Sequence, residues 1–358
     1  MKIQLTSPAV PAILPVISKK EREVFHTPRK STATMVDVAR EAGVALGTVS
    51  KFVNGQPVSS PYRENIAAAI EKLGYQINTN GRALRSNHSM TIAFIIPNTI
   101  NPYFALLVHH INMALEARNY KMLLCFTEYN RDRESEFIQM AVQNQLDGII
   151  ALTYNPHLVI PEGIPFVTID RFFSASVPCV SSDNFAGGRM AALKLHELGC
   201  QKAIFMRTGS VLTNEPNKRR DGFVSACIEL SLPFEVLAYG DEQPYSDFED
   251  YLHAHCQHGR LDFDGIFCAT DMLAWQIIHS LRSMGQRVPE DVQVIGFDGI
   301  RMFGSLDYFV STIVQPVAEI ARTCVDTVLA DAIASRPSLI CLPVTYAPGG
   351  TTKERMHP

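Results

Sequence analysis

The stretch Met35-Val-Asp-Val-Ala-Arg-Glu-Ala-Gly-Val-Ala-Leu-Gly-Thr-Val-Ser-Lys-Phe-Val-Asn-Gly55 reads as two short helices joined by a glycine turn. Thr34 is placed to cap the first helix. Val36, Val38, Ala39 and Ala42 recur at helical spacing, and Gly43 supplies the left-handed residue that ends it. Leu46 to Val53 reads as the second helix, closed by Asn54-Gly55. Ser59 or Ser60 caps a third, Pro61 to Leu73, which stops at Gly74. Three short helices with a tight turn between the first two predict an all-α helix-turn-helix domain, placed at residues 31–78.

Residues 1–30 are broken by Pro8, Pro11, Pro15 and Pro28 and show no periodicity, so they are expected to be a disordered tail, or an over-extended start. On the other side, 79–89 is polar, with Leu84 its one large apolar residue. A helix this short is marginal in isolation, and Gly81 costs about 1 kcal/mol relative to alanine. The segment is expected to be a hinge that orders only on a partner.

A chain of 358 residues suggests two or three folded units. With 46% hydrophobic and 19% charged residues, large-scale disorder is excluded. No apolar run approaches the roughly 20 residues of a membrane span, and prolines interrupt the apolar patch at 10–17, so neither a membrane segment nor an export signal is expected. Eight scattered cysteines without a C-x-x-C pair argue against a disulfide framework or zinc cage and for a reducing, cytoplasmic location. Residues 1–90 carry 12 Lys and Arg against 6 Asp and Glu, whereas 91–358 carry 20 against 30. A basic module on an acidic body predicts that the first part alone meets a polyanion.

Beyond the hinge, strand-like runs alternate with amphipathic segments. Ile92–Ile96, helix Pro102–Arg118, Met122–Phe126, helix Asp132–Asn144, Gly148–Leu152 and Phe166–Ile169 form one series. Helix Ala186–Leu198, Ala203–Phe205, helices Arg219–Leu230 and Asp247–Cys256, Gly265–Cys268, helix Met272–Met284 and Val292–Phe297 form another. This predicts parallel sheets covered on both faces, in two Rossmann-like lobes with a cleft between them.

The headpiece string above, with Ile66-Ala-Ala-Ala-Ile-Glu-Lys-Leu-Gly-Tyr75 and Arg82-Ala-Leu-Arg85, closely resembles LacI/GalR-family transcriptional regulators. In the body, Ile96-Pro97-Asn98, Asn101-Pro102-Tyr103-Phe104, Asp147-Gly148-Ile149-Ile150, Asp183-Asn184, Gly187-Gly188, Arg219, Gly222-Phe223, Thr270-Asp271 and Ile295-Gly296-Phe297-Asp298 fall in that family's order. The resemblance implies a periplasmic-binding-protein-like body of residues 90–358. Its N-lobe would span about 90–184 and 315–340, and its C-lobe about 185–314 and 341–358. It implies a repressor, working as a homodimer on palindromic double-stranded operator DNA, nucleoid-associated when bound, and controlled by a small-molecule effector, by base rate a sugar. No cofactor is expected.

In a helix-turn-helix the second helix enters the major groove. Leu46, Gly47 and Lys51 are the candidate base readers, with Thr48, Ser50 and Asn54 beside them. Lys51 contacts either a guanine or only a phosphate. Gly47 reads nothing, a departure from the family's usual polar or aromatic pair. In the hinge, Leu84 would wedge into a base step of the minor groove, with Arg82 and Arg85 on phosphates. Arg and Asp side chains clamp adjacent hydroxyls, and the resemblance assigns Arg219 and Asp298 to that role. Tyr103 and Phe104 are candidates for an aromatic wall. Asn98, Asp170, Asp183 and Asp271 complete the expected effector set, although Asp271 has an alternative as a helix cap.

His253-Ala-His255-Cys256-Gln-His258 invites a metal reading, but on a helix only His255 and His258 share a face, so no metal site is expected. Gly187-Gly188 and Gly349-Gly350 lack the surroundings of a phosphate loop. A transport solute-binding protein would have an export signal and no headpiece. An enzyme would need a catalytic set, and no Ser-His-Asp, metal triad or cofactor loop is found. The end of the chain has no heptad run for tetramerisation.

Overall fold

The computed structural model describes residues 33–53, 55–75, 88–155, 157–209, 214–240, 245–301, 307–330 and 338–353. The chain forms two compact units, one ending at Arg82 and one beginning at Ala83. The expected tail, Asn54, and the hinge residues Arg82, Leu84 and Arg85 lie outside the described residues.

The first unit contains helices α1 (Met35–Ala42), α2 (Leu46–Val53) and α3 (Ser60–Leu73). Thr34 Oγ1 accepts from the Asp37 backbone N–H at 3.3 Å, and an Asp37 carboxylate oxygen accepts from the Thr34 N–H at 2.9 Å. This reciprocal box satisfies two donors that a helix start leaves open. Gly43, at φ 66°, takes the left-handed position that ends α1 and turns the chain into α2. Val38, Ala39, Ala42, Val49, Ile66, Ala69 and Tyr75 close into one core.

The second unit runs β1 (Thr91–Ile96), α4 (Pro102–Glu116), β2 (Lys121–Phe126), α5 (Arg131–Gln143), β3 (Gly148–Ala151), β4 (Phe166–Ile169) and β5 (Cys179–Ser182). It continues with α6 (Asn184–Glu197), β6 (Ala203–Arg207), α7 (Lys218–Leu230), β7 (Phe234–Ala238), α8 (Ser246–Ala254), and the short strands β8 (Cys256–Gln257) and β9 (Arg260–Leu261). β10 (Gly265–Cys268), α9 (Asp271–Ser283), β11 (Gln293–Asp298), β12 (Thr312–Val314), α10 (Val317–Val328), β13 (Leu339–Leu342) and β14 (Thr345–Ala347) complete it. Strands β13-β5-β4-β3-β1-β2 form a parallel sheet, and β14-β12-β11-β10-β6-β7 form a second in which only β14 is antiparallel. The inner strands are apolar runs because helices cover both faces.

The chain passes between the two lobes three times: at Asp183, at Gln315-Pro316 and at Pro343-Val344. The last crossing follows all of β13, so the expected division between 340 and 341 falls inside a strand. Helices α6 and α7 touch backbone to backbone: a methyl group on Gly188 would strike the Arg219 carbonyl, and one on Gly222 the Phe185 carbonyl. Gly188 therefore serves helix contact in the second lobe, while Gly187 lies against the Phe297 ring of the sheet.

One local expectation needs correction. The helix expected to reach Cys256 ends at Ala254, and the chain then makes a hairpin through His258-Gly259, at φ 52° and 76°. His255 and His258 share no helix face, and His255 Nδ1 instead lies 3.0 Å from an Asp262 carboxylate oxygen. Among the described residues, no helix is long and apolar enough to cross a membrane.

Candidate functional site

On the helix-turn-helix unit, Val49 is buried in the core, which turns the opposite side of α2 outward. Leu46 is 47% exposed, Gly47 and Lys51 are exposed, and Thr48 and Ser50 are half-buried. Nothing lies within 4 Å of where a Gly47 side chain would begin. The unit thus presents an apolar side chain, a gap and a cation along one short helix.

In the larger unit, a cavity lies between the lobes at the C-terminal ends of parallel strands, where open α/β sheets place ligands. The first lobe contributes Tyr103 and Phe104 from the start of α4, Tyr154 after β3 and Asp170 after β4. The second contributes Arg207 from the end of β6, Arg219 from α7, Thr270 and Asp298. Both aspartates sit at positive φ, Asp170 at 60° and Asp298 at 142°. Aspartate tolerates the left-handed position of Asp170, whereas the backbone of Asp298 is one that residues other than glycine rarely adopt, and such strain gathers at functional sites.

Arg219 organises the charge. Its guanidinium lies 3.6 Å from the centroid of the Phe297 ring, donates from Nε to Asn184 Oδ1 at 2.7 Å and from Nη1 to the Ala269 carbonyl at 2.6 Å. Its separation from Asp298 is 4.0 Å, so attraction there is Coulombic without a direct bond. Burial pushes the Asp298 carboxyl above the ordinary carboxylate range, and Arg219 opposes the rise. Burial likewise raises Asp170, opposed by Arg219 and by the Ser181 hydroxyl that donates to it at 2.7 Å. The Tyr103 phenol is pushed up by burial as well. Among the described residues, Tyr103 Oη and Asp298 Oδ2 are buried without a hydrogen-bond partner.

Three expected cleft residues lie elsewhere. Asn98 Oδ1 accepts from the Ile100 N–H at 3.1 Å and its amide reaches Glu128, so it shapes its own loop. Asp183 caps α6 by accepting from the Ala186 N–H at 2.9 Å. Asp271 is fully buried and does not cap its helix, since Thr270 does that. It accepts from the Gly299 and Ile300 N–H groups at 2.9 and 2.8 Å and from Thr312 Oγ1 at 2.6 Å, which fixes the chain just beyond Asp298.

Comparison with known proteins agrees with both halves. The profile for bacterial regulatory proteins of the lacI family matches residues 34–78, and that for the periplasmic binding protein-like domain matches 192–352. A sucrose operon repressor of Pediococcus pentosaceus is 33% identical over 330 residues, covering 88% of this chain and 98% of the relative. The chain belongs to the LacI family. It is a DNA-binding transcriptional regulator, not an enzyme. A ribose operon repressor of Halalkalibacterium halodurans is 30% identical over 292 residues, covering 80% of this chain and 86% of its own length. A crystal structure of a periplasmic binding protein/LacI transcriptional regulator from Alkaliphilus metalliredigens, complexed with D-xylulofuranose, superposes with TM-score 0.64 at 25% identity. That structure covers 74% of this chain and 100% of its own.

Several residues of this LacI-family cleft escape a reading of motifs. Arg207 and Tyr154 follow strands whose C-terminal ends were visible, and that rule alone would have nominated them. Asn184, beside the expected Asp183, links the lobes: it accepts from Arg219 and donates to Ser181, which bonds Asp170. Gln315 does the same on the other side, accepting from Ser182 Oγ and donating to Asp298 Oδ1, each at 2.8 Å. Asn184 stands in the Asp183-Asn184 pair of the family order without an expected role, and nothing in its local sequence marks Gln315.

Proposed function

We propose that this regulator is a repressor whose operator affinity is set by a sugar bound between the lobes. The observation that carries the reading is a pair of buried polar atoms, Tyr103 Oη and Asp298 Oδ2, on residues that line one cavity and without a hydrogen-bond partner among the described residues. A buried polar group without a partner costs about 1–3 kcal/mol, and a polyhydroxylated ligand removes both penalties. The aromatic sides of Phe104 and Tyr154 suit the apolar face of such a ring. Relatives named for sucrose and ribose operons, and a neighbour holding a pentulose, support the same ligand class.

Each cleft aspartate is wired to a crossing between the lobes, Asp170 through Ser181 and Asn184, Asp298 through Gln315 and Ser182. A ligand that bridges the aspartates favours one lobe arrangement and shifts the population toward it. The reading includes a cytoplasmic homodimer on a palindromic operator, with Leu46, Thr48, Ser50, Lys51 and Asn54 at the major groove and Arg82, Leu84 and Arg85 at the minor groove. It also takes 31–78, 79–89 and 90–358 as reader, hinge and receptor. A gel shift with genomic fragments at low salt, repeated with sucrose, ribose and glucose, tests it. A retarded fragment released by one sugar supports the reading. No retardation at low salt, where phosphate contacts alone give binding, contradicts it.

A further inference from the structure

The cleft does not end at the inner cavity. Past Phe104 and Tyr154 it opens into a second compartment of about 730 Å³, against about 130 Å³ for the inner one. Ligand pockets generally measure roughly 300–1,000 Å³. The inner space alone falls below that range, and the outer one lies within it. Asn101, Phe104, Tyr154 and Thr270 are walls of both, so the two spaces are one continuous groove.

The outer compartment has the makings of a built site. Tyr129 and Tyr154 stand with ring centroids 5.5 Å apart, 60% and 37% exposed, and offer aromatic faces at the rim. Glu134, only 4% exposed, sits in the wall, its carboxyl raised by burial and moderated by hydrogen bonds with Thr153 and Asn155. Gln276 reaches the same space from α9 in the opposite lobe. A buried carboxylate beside aromatic faces and an amide selects a neutral hydroxylated ring. Arg131 lines the same space and adds a cationic donor for the ring's hydroxyls.

We infer that the outer compartment is a second sugar subsite, so that the effector is a disaccharide or a glycoside of similar length. One ring meets Asp298 and Arg219, and the other lies on Tyr129 and Tyr154 with its hydroxyls between Glu134 and Gln276. This rests on the sugar reading above and narrows it. Because Glu134 belongs to the first lobe and Gln276 to the second, the outer ring bridges the lobes as the inner ring does.

Calorimetry on the full-length protein with sucrose, maltose, cellobiose and trehalose, and with glucose, fructose and ribose, tests the inference. One disaccharide is expected to bind at least about tenfold more tightly than any monosaccharide. Tyr129→Ala and Gln276→Ala, both at exposed positions, are expected to weaken it about fivefold or more and leave monosaccharide affinity within about twofold. Glu134→Gln, an isosteric change, is expected to act in the same direction. A monosaccharide that binds as tightly as the best disaccharide, or outer variants without effect, overturns the second subsite and leaves the sugar reading standing. If none of the seven sugars binds, the sugar reading fails and the subsite with it.

Discussion

Gln315 Nε2 donates to Asp298 Oδ1 at 2.8 Å and thereby ties the second crossing between the lobes to the buried carboxylate of the cleft. Its Oε1 takes the Ser182 hydroxyl at the first crossing. Gln315→Leu keeps the volume and removes both bonds. The variant is expected to lose about 1–3 kcal/mol of stability and to bind sugar within about tenfold of the parent. The factor by which sugar changes operator affinity should collapse toward one. Denaturant unfolding and anisotropy titration on operator DNA measure the two effects. An unchanged factor would remove Gln315 from the coupling.

Asp298 predicts a pH dependence with a definite sign. Burial raises its pKa in the folded state, so the folded protein holds this proton more tightly than the unfolded chain does. The stability that results is present below the ordinary carboxylate pKa of about 4 and is lost as pH rises through the elevated folded value. The difference in unfolding free energy, wild type minus Asp298→Asn, should therefore fall as pH increases across that window. Other carboxylates, such as Asp291 with its Arg287 partner, change in the opposite sense and cancel in the difference. A difference that is flat or rises with pH contradicts the assignment.

Gly188→Ala places a methyl group against the Arg219 carbonyl, a backbone atom that cannot turn aside. Helices α6 and α7 must separate, and Arg219 moves with α7. Overpacking of this kind costs about 1–3 kcal/mol or more. Sugar affinity should drop together with melting temperature. A variant as stable as the parent would mean that the two helices yield more easily than their close approach implies.

Lys51 and Leu46 sit on the exposed side of α2, whereas Val49 faces the core. Lys51→Ala is expected to weaken the operator by about 1–3 kcal/mol and to relax preference at one base pair if the contact is to guanine. Equal weakening on all sequences, with a shallower salt dependence, would make it a phosphate contact. Val49→Ala should instead lower the stability of the headpiece by about 0.5–1.5 kcal/mol or more. Competition binding on operator variants and thermal melting separate the two classes.

The headpiece was legible because its signals are local: the Thr34–Asp37 box, the Gly43 turn and the spacing of Val38, Ala39 and Ala42 lie within ten residues. Inner strands such as β1, β3, β4 and β10 were legible for a related reason, since they are apolar runs buried on both faces, whereas β5, Cys-Val-Ser-Ser, is as buried but carries two serines and gives no such signal. Strand β7 gives no signal in the sequence, since it is an edge strand with half-exposed residues and no alternation. Helix α10 lies beyond the last expected element at Phe297, although its Val317, Ile320, Ala321, Cys324, Val325 and Val328 carry helical spacing plainly. At the cleft, the family resemblance points to Arg219 and Asp298, and residue type points to Tyr103, Phe104 and Asp170; all five line the cavity. Asn98 and Asp271 could not be sorted from them, because whether a side chain faces the cavity or its own loop depends on the path of the backbone. Gln315 was invisible, since its partners Ser182 and Asp298 are distant in sequence and only the crossing brings them together.

If the cleft and the DNA-reading helix are coupled, sugar and operator must shift each other's affinity. The operator dissociation constant would be measured by anisotropy with and without saturating sugar, and the sugar dissociation constant by calorimetry with and without operator. Coupling between binding sites requires the same factor in both directions. One factor of about tenfold or more is expected, equal within error in the two experiments and abolished in Asp298→Asn. A sugar that binds the cleft tightly while both factors remain at one would contradict it.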